Sequence, residues 1–306
     1  MFCSLFCFCL QAAVPAHAAT SAAAAAAQAA QIPNRGALFK IEDGGHTLYL
    51  FGTIHVGAAD FYPLEPRVTA ALDHAGTLAL EIDPNGDPAG VVKAMQEHGL
   101  YHGGGPAIND IAPEFRPRLE RLMQQLGISP ASVAPMKPWL LASVLEVSDF
   151  AALGYQSGLA VDTWLSQQAH ARKIPVLELE SVGSQMALFD RMTLAEQCRF
   201  LEDGIVAIED KDQAEDAREI ARAWRNADAA GLEALAKKAA DDDSFSGRFV
   251  QKVLLDERNP GLANGIARLL ARDSNSMAAI GVLHLVGTAS VPELLRKRGL
   301  KVERIY

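Results

Sequence analysis

Four short apolar runs punctuate the chain: residues 48–56 (LYLFGTIHV), 78–82 (LALEI), 175–179 (PVLEL) and 277–286 (MAAIGVLHLV). Turn-forming residues flank them, as in Asp83-Pro84-Asn85-Gly86 and Gly287. Runs that are apolar at consecutive positions bury both faces, as strands of a largely parallel, covered sheet do. Between them, apolar residues recur at helical spacing over residues 65–74, 117–126, 161–172, 194–208, 212–226 and 262–270. Strands alternating with helices predict an α/β fold, with a mostly parallel or mixed central sheet flanked by helices. The longer helical blocks, in the middle of the chain and over residues 193–272, predict a helical insertion that lies over one edge of the sheet.

The first residues break this pattern. Residues 1–10 (MFCSLFCFCL) are apolar and uncharged, and Ala16-His17-Ala18 has the small-x-small form of a cleavage site. The stretch is too short to span a bilayer, so it reads as a signal peptide over residues 1–18, although no Lys or Arg precedes it. A lipid-attachment site fits less well, because bulky Phe6 and Phe8 precede Cys7 and Cys9. Residues 19–33 read as an Ala-rich spacer and residues 34–306 as a single domain. Export to the periplasm or beyond is the expectation, with no membrane span in the mature chain. Three of the four cysteines fall in the leader, and Cys198 remains. One cysteine forms no internal disulfide and no Cys-rich metal site. Cys198 follows a capping-box signature, Thr193 with Glu196, on the apolar side of a helix, which points to packing.

The net charge of -9 argues against nucleic-acid or anionic-membrane partners, which need concentrated Lys and Arg. A peptide or small-molecule substrate is expected instead. His55, His284, Glu81 and Glu180 each fall at the carboxyl end of a predicted strand, where open α/β sheets bind ligands. Burying such groups unpaired costs several kcal/mol, so each needs a partner, water or a metal. Two His and a carboxylate form a ligand set for zinc and other transition metals. A strand histidine can equally be a satisfied core residue. Gly52-Thr-Ile-His55 and Gly281-Val-Leu-His284 echo each other, and a glycine three residues before each His permits close backbone approach. Other chemistry is poorly supported. There is no Gly-x-Ser-x-Gly elbow to accompany His102-Gly103-Gly104-Gly105, no His-Glu-x-x-His, no P-loop and no dinucleotide fingerprint. His98 and His102 have i, i+4 spacing, but the glycines around them weaken a helix there.

LYLFGTIHVG, Tyr62-Pro63-Leu64, LALEID, Lys137-Pro138-Trp139, Gly158-Leu-Ala-Val-Asp162, Leu179-Glu180-Ser181 with Gln185, Glu257-Arg258-Asn259 and AAIGVLHLVG together resemble the TraB/GumN group. That group includes Tiki-type metalloproteases and pheromone-shutdown proteins. The resemblance covers nearly all of residues 38–306. It implies a sheet fold related to erythromycin-esterase and haem-binding ChaN-like proteins, and metal-dependent peptide cleavage. On that analogy His55, His284 and Glu81 hold a divalent ion (manganese, cobalt or zinc), and Glu81, Glu180 and Arg258 are catalytic, with Asp162 a further characteristic position. Arg258 could stabilise an oxyanion or pair with Asp162 or Glu180. Glu180 could be a ligand or a general base, and Trp139 could be core or substrate platform. The expected function is an exported metal-dependent hydrolase, a peptidase. The alternative is a non-catalytic periplasmic binder of peptide, haem or another small ligand, with a role in envelope polysaccharide production ranked last.

Overall fold

The apolar runs come together edge to edge in a six-stranded sheet of order β4-β3-β5-β2-β1-β6. The computed structural model describes residues 32–306, so the signal-peptide reading and nearly all of the spacer lie outside the described residues. Strands β1 (Leu38–Asp43) and β2 (His46–Thr53) form a hairpin. Gly44 and Gly45, at φ 55° and 87°, make its turn, since two consecutive positive-φ residues match the twist of the flanking strands. Strands β3 (Leu78–Leu80), β4 (Val176–Glu178) and β5 (Asn275–Gly281) run parallel to β2. Strand β6 (Lys301–Arg304) pairs antiparallel with β1 at the far edge.

The four parallel strands are those the apolar runs predict, although each ends earlier than its run, β2 and β5 by the most. β2 stops at Thr53 and β5 at Gly281, after which Val282–Leu285 winds into a 3-10 turn. The sheet is mixed, one of the two expected forms, and its antiparallel strands β1 and β6 are not among the predicted runs. β1 and β6 carry charge on one face, where Glu42 pairs with Lys40 and Lys301, so neither forms an apolar run.

The α-helices of seven or more residues are, in chain order, α1 (Pro66–Asp73), α2 (Pro88–Ala94), α3 (Arg116–Gln125), α4 (Pro138–Ala152), α5 (Val161–Arg172), α6 (Val182–Asp190), α7 (Leu194–Glu209), α8 (Asp212–Arg225), α9 (Ala229–Ala240), α10 (Asn259–Arg272) and α11 (Val291–Lys297). They bury two separate apolar clusters. One surrounds the sheet and takes in Val161 and Leu165 of α5, Ala217, Ala221 and Trp224 of α8, and Leu262, Ile266 and Leu269 of α10. The other is purely helical, built from Leu119, Trp139, Leu145, Met186, Phe189, Phe200, Leu201 and Phe249 among others. The helical layer expected over residues 193–272 therefore has different bounds. It draws in α2, α3, α4 and α6, while α8 and α10 return apolar faces to the sheet. Trp139 is fully buried and stacks on Phe189 at 4.7 Å between ring centroids, which makes it core. Cys198 is buried in the same cluster, where burial pushes its thiol up to about 11. No helix among the described residues is long and apolar enough to cross a membrane.

Trp224 locks α8 to the sheet. Its ring stacks on Phe61 at 5.0 Å, and its Nε1 donates to the Gly52 carbonyl at 2.8 Å. Replacing a buried aromatic with alanine typically costs about 3–5 kcal/mol. Trp224→Ala is expected to lower the urea-derived unfolding free energy by that amount, whereas Val92→Ala, at an exposed position, should change it by less than about 0.5 kcal/mol.

Candidate functional site

Each parallel strand delivers one polar side chain to the carboxyl edge of the sheet. Glu81 follows β3, in the middle of the group. Its Oε1 accepts from the Gly281 N–H at 2.6 Å, and its Oε2 is held by Arg258 Nη2. Glu180, beyond β4, sits against the same guanidinium, which donates Nε to Glu180 Oε1 at 3.0 Å and Nη2 to Oε2 at 2.5 Å. The remaining Arg258 nitrogen, Nη1, donates to the Leu254 carbonyl at 3.1 Å, and Gln185 donates to Glu180 at 2.9 Å. Arg258 is thus a salt-bridge residue joined to Glu81 and Glu180, not to Asp162. Burial opposes its charged form, but the two carboxylates outweigh this and raise its pKa. Burial likewise opposes ionised Glu81, and the Arg258 charge, assisted by the Gly281 N–H, holds it well below the usual carboxylate range.

His55 lies two residues past β2, on a loop strapped to the start of α5. Val161 N–H donates to the Ile54 carbonyl at 3.1 Å, and Gly57 and Gln156 exchange two backbone hydrogen bonds. A Cβ on Gly57 would fall 1.8 Å from the Leu159 carbonyl oxygen, so only glycine permits this contact. The strap brings His55 Nδ1 to 2.7 Å from Asp162 Oδ2. Asp162 occupies the first turn of α5, where the helix dipole favours a carboxylate. Burial lowers the pKa of His55, but Asp162 and Glu81 overcome it and raise the value to about 9.

His284 sits in the turn after β5 and is 1% exposed. Asn259 fixes its tautomer. The Asn259 amide donates to the Ala289 carbonyl at 2.9 Å, which turns Oδ1 towards His284 Nδ1 at 2.6 Å. Nδ1 is therefore the protonated nitrogen, and Nε2 keeps its lone pair. Burial pushes His284 down to about 3, so the ring is neutral. Arg258 and Asn259 are consecutive, directly after a π-helical turn, Val250–Asp256, that re-aims the chain before α10.

The two Nε2 atoms converge on Glu81. His55 Nε2 is 3.8 Å from Oε1, and His284 Nε2 is 4.0 Å from Oε2. Both nitrogens are buried and have no hydrogen-bond partner. The neutral His284 turns a lone pair towards the carboxylate, which is repulsive unless a cation or donor lies between them. His55 turns an N–H there until an ion displaces its proton. Gly281 leaves the space: a Cβ there would be 3.0 Å from His55 Nε2, 3.3 Å from Glu81 Oε1 and 3.6 Å from His284 Cδ2. Gly52 does something else. Parallel pairing sets Gly52 opposite Ile280 and Gly281 opposite Thr53, so the two glycines face opposite sides of the sheet. A Cβ on Gly52 would meet Val282 at 2.8 Å.

The cluster fits a cation in donor type, since each imidazole gives its Nδ1 proton to an oxygen and turns Nε2 inward, the usual arrangement around metal ligands. It also fits in charge. Two carboxylates (Glu81, Glu180) pair with one guanidinium and a third (Asp162) with His55, leaving two negative charges once both rings are neutral. Among the described residues, no three His, Cys, Asp or Glu side chains stand as a ready-made ligand set. Ligand atoms about 2.0–2.2 Å from a tetrahedral ion lie roughly 3.3–3.6 Å apart, and the two N···O separations here are a few tenths of an ångström wider, with Glu81 Oε2 engaged by Arg258. His98 and His102 form no site: His98 faces Asp190 at 3.3 Å, and His102 lies in a loop.

The molecule is thus an α/β protein with a buried two-histidine, carboxylate-rich cluster at the ends of parallel strands. Its sequence matches the TraB/PrgY/gumN family over residues 37–304, and the chain belongs to that family. It is 24% identical to the uncharacterized protein YbaP of Escherichia coli K12 over 266 residues, covering 83% of this chain and 89% of that protein. An uncharacterized protein of Treponema pallidum (strain Nichols) is 24% identical over 159 residues, covering 51% of this chain and 46% of that one. No solved structure matches the chain.

The His284 shift carries a pH signature. The folded value of about 3 lies below the ordinary 6.5, so the unfolded chain takes up the proton first as pH falls. The stability that His284 lends is complete above about pH 6.5 and is lost as pH drops from there towards 3. Urea unfolding at pH 7 and pH 4 should show a smaller loss of stability on acidification for His284→Gln than for wild type. An equal loss in both proteins would contradict a buried neutral ring.

Proposed function

We propose that the chain is an exported, divalent-metal-dependent hydrolase that acts on peptides. The observation that carries this reading is the pair of buried, unpartnered Nε2 atoms facing Glu81 across the space that Gly281 leaves open. His55 and His284 through Nε2, with Glu81, would hold the ion, which when bound supplies Lewis acidity and lowers the pKa of water. Manganese, cobalt and zinc all suit imidazole-carboxylate sites. Asp162 and Asn259 orient the two rings. Arg258 keeps Glu81 ionised and fixed, and Glu180 anchors Arg258, so both are positioning residues in this scheme. All three donor groups of Arg258 are engaged inside the protein, which supports this role over direct stabilisation of an oxyanion. Glu180 is the less enclosed of the two paired carboxylates, and both its oxygens are held by Arg258. Export rests on the leader sequence, and a relation to erythromycin-esterase and ChaN-like folds rests on the family resemblance.

The non-catalytic reading uses the same cluster. The cavity that opens on the two histidines measures about 60 Å³, too little for a porphyrin, so a peptide or small ligand is the form of that reading worth keeping.

Metal analysis of the purified mature chain tests the proposal. Wild type should carry about one equivalent of transition metal after soaking, with protons released on binding because the ion displaces the one His55 holds. His55→Ala and His284→Ala should carry none. Gly281→Ala keeps every ligand yet fills the gap, and should also lose the ion. Asp162→Asn should weaken metal affinity by about 10- to 100-fold. No metal in wild type after manganese, cobalt and zinc would overturn the metallohydrolase reading and leave ligand binding.

A further inference from the structure

The cavity beside the histidines has a floor and walls of opposite character. His55, Gly281 and His284 line it on the sheet side. Its other surfaces are almost wholly apolar and come from three separated segments: Phe150 and Tyr155 at the end of α4 and beyond, Ala217, Ile220 and Ala221 of α8, and Val250 and Leu255 of the π-helical turn. Ala217 and Ala221 are one helical turn apart and so share a face, and their small side chains leave the space open. The volume of about 60 Å³ is several times the ~10–15 Å³ that one water occupies on this measure, so it takes a group of several heavy atoms but not an indole. No Asp, Glu, Lys or Arg side chain lines it.

Resting on the hydrolase reading above, we infer that this cavity receives the side chain of the substrate residue next to the bond that is cut, and that it selects branched aliphatic side chains, Leu, Ile or Val, over charged ones. An ionised side chain would be stripped of water without a partner here, whereas an aliphatic one gains about 0.8 kcal/mol per buried CH₂. The three carbons by which Leu exceeds Ala correspond to roughly 10- to 50-fold in affinity. Ala217 and Phe150 both line the pocket, one small and one large.

Fluorescein-labelled hexapeptides that are identical except for one central residue (Ala, Leu, Phe, Trp or Asp) would be titrated against the full chain in EDTA, with anisotropy as the readout. Cleavage would be followed separately by mass spectrometry with manganese present. The Leu peptide is expected to bind about 10- to 50-fold tighter than the Ala peptide, with Asp and Trp no better than Ala. Ala217→Leu should erase the Leu preference, and Phe150→Ala should shift it towards the Phe peptide, so one misfolded variant does not remove the test. Equal binding of Leu and Asp peptides, a Leu preference that survives in Ala217→Leu, or no peptide binding would each overturn the inference. A Leu preference without cleavage would sink the hydrolase reading and leave the pocket. Cleavage indifferent to the central residue would do the reverse.

Discussion

An ionised carboxylate in the middle of a sheet edge governs this molecule. Glu81 is 6% exposed, and a buried charge is tolerable only when donors surround it. The Gly281 backbone and Arg258 supply them, but Arg258 is itself buried and needs Glu180 and the Leu254 carbonyl. Glu180 in turn accepts from Gln185. The ends of β3, β4 and β5, the start of α10 and helix α6 are therefore tied through one electrostatic account. Removing one partner of such a pair costs about 3–5 kcal/mol, against less than about 1 for an exposed pair such as Lys93 with Glu97.

The imidazoles depend on a second line of hydrogen bonds. The Ala289 carbonyl orients Asn259, and Asn259 decides which nitrogen of His284 carries the proton. Asp162, placed by the first turn of α5, does the same for His55. Because Arg258 and Asn259 are neighbours, a single backbone bend aims one residue at the carboxylates and the next at a ring. A π-helical turn, Val250–Asp256, closely precedes them, and such turns are frequent at functional sites.

Much of this arrangement was legible in the amino-acid order. The four parallel strands are continuous apolar runs, and His55, Glu81, Glu180 and His284 stand out as polar residues at their ends. The two antiparallel strands beyond β2 were not legible, since β1 and β6 mix apolar with charged residues. Asp162 and Asn259 stayed without roles for a different reason: polar residues in the first turn of a helix are expected for local reasons, so their types say nothing about a distant ring. The matched glycines misled. Gly52 and Gly281 occupy equivalent places in two similar motifs, but β2 and β5 pair with a one-residue offset, and with a period of two that sends them to opposite faces.

The apolar wall and the charged floor of the cavity come from different stretches of chain and answer to different demands. The floor must balance charge and satisfy every donor, so its residues constrain one another. The wall answers only to volume. Residues on the inner face of α8 can therefore drift in lineages that keep the floor unchanged, and one fold can be retuned from one side chain to another without rebuilding its chemistry.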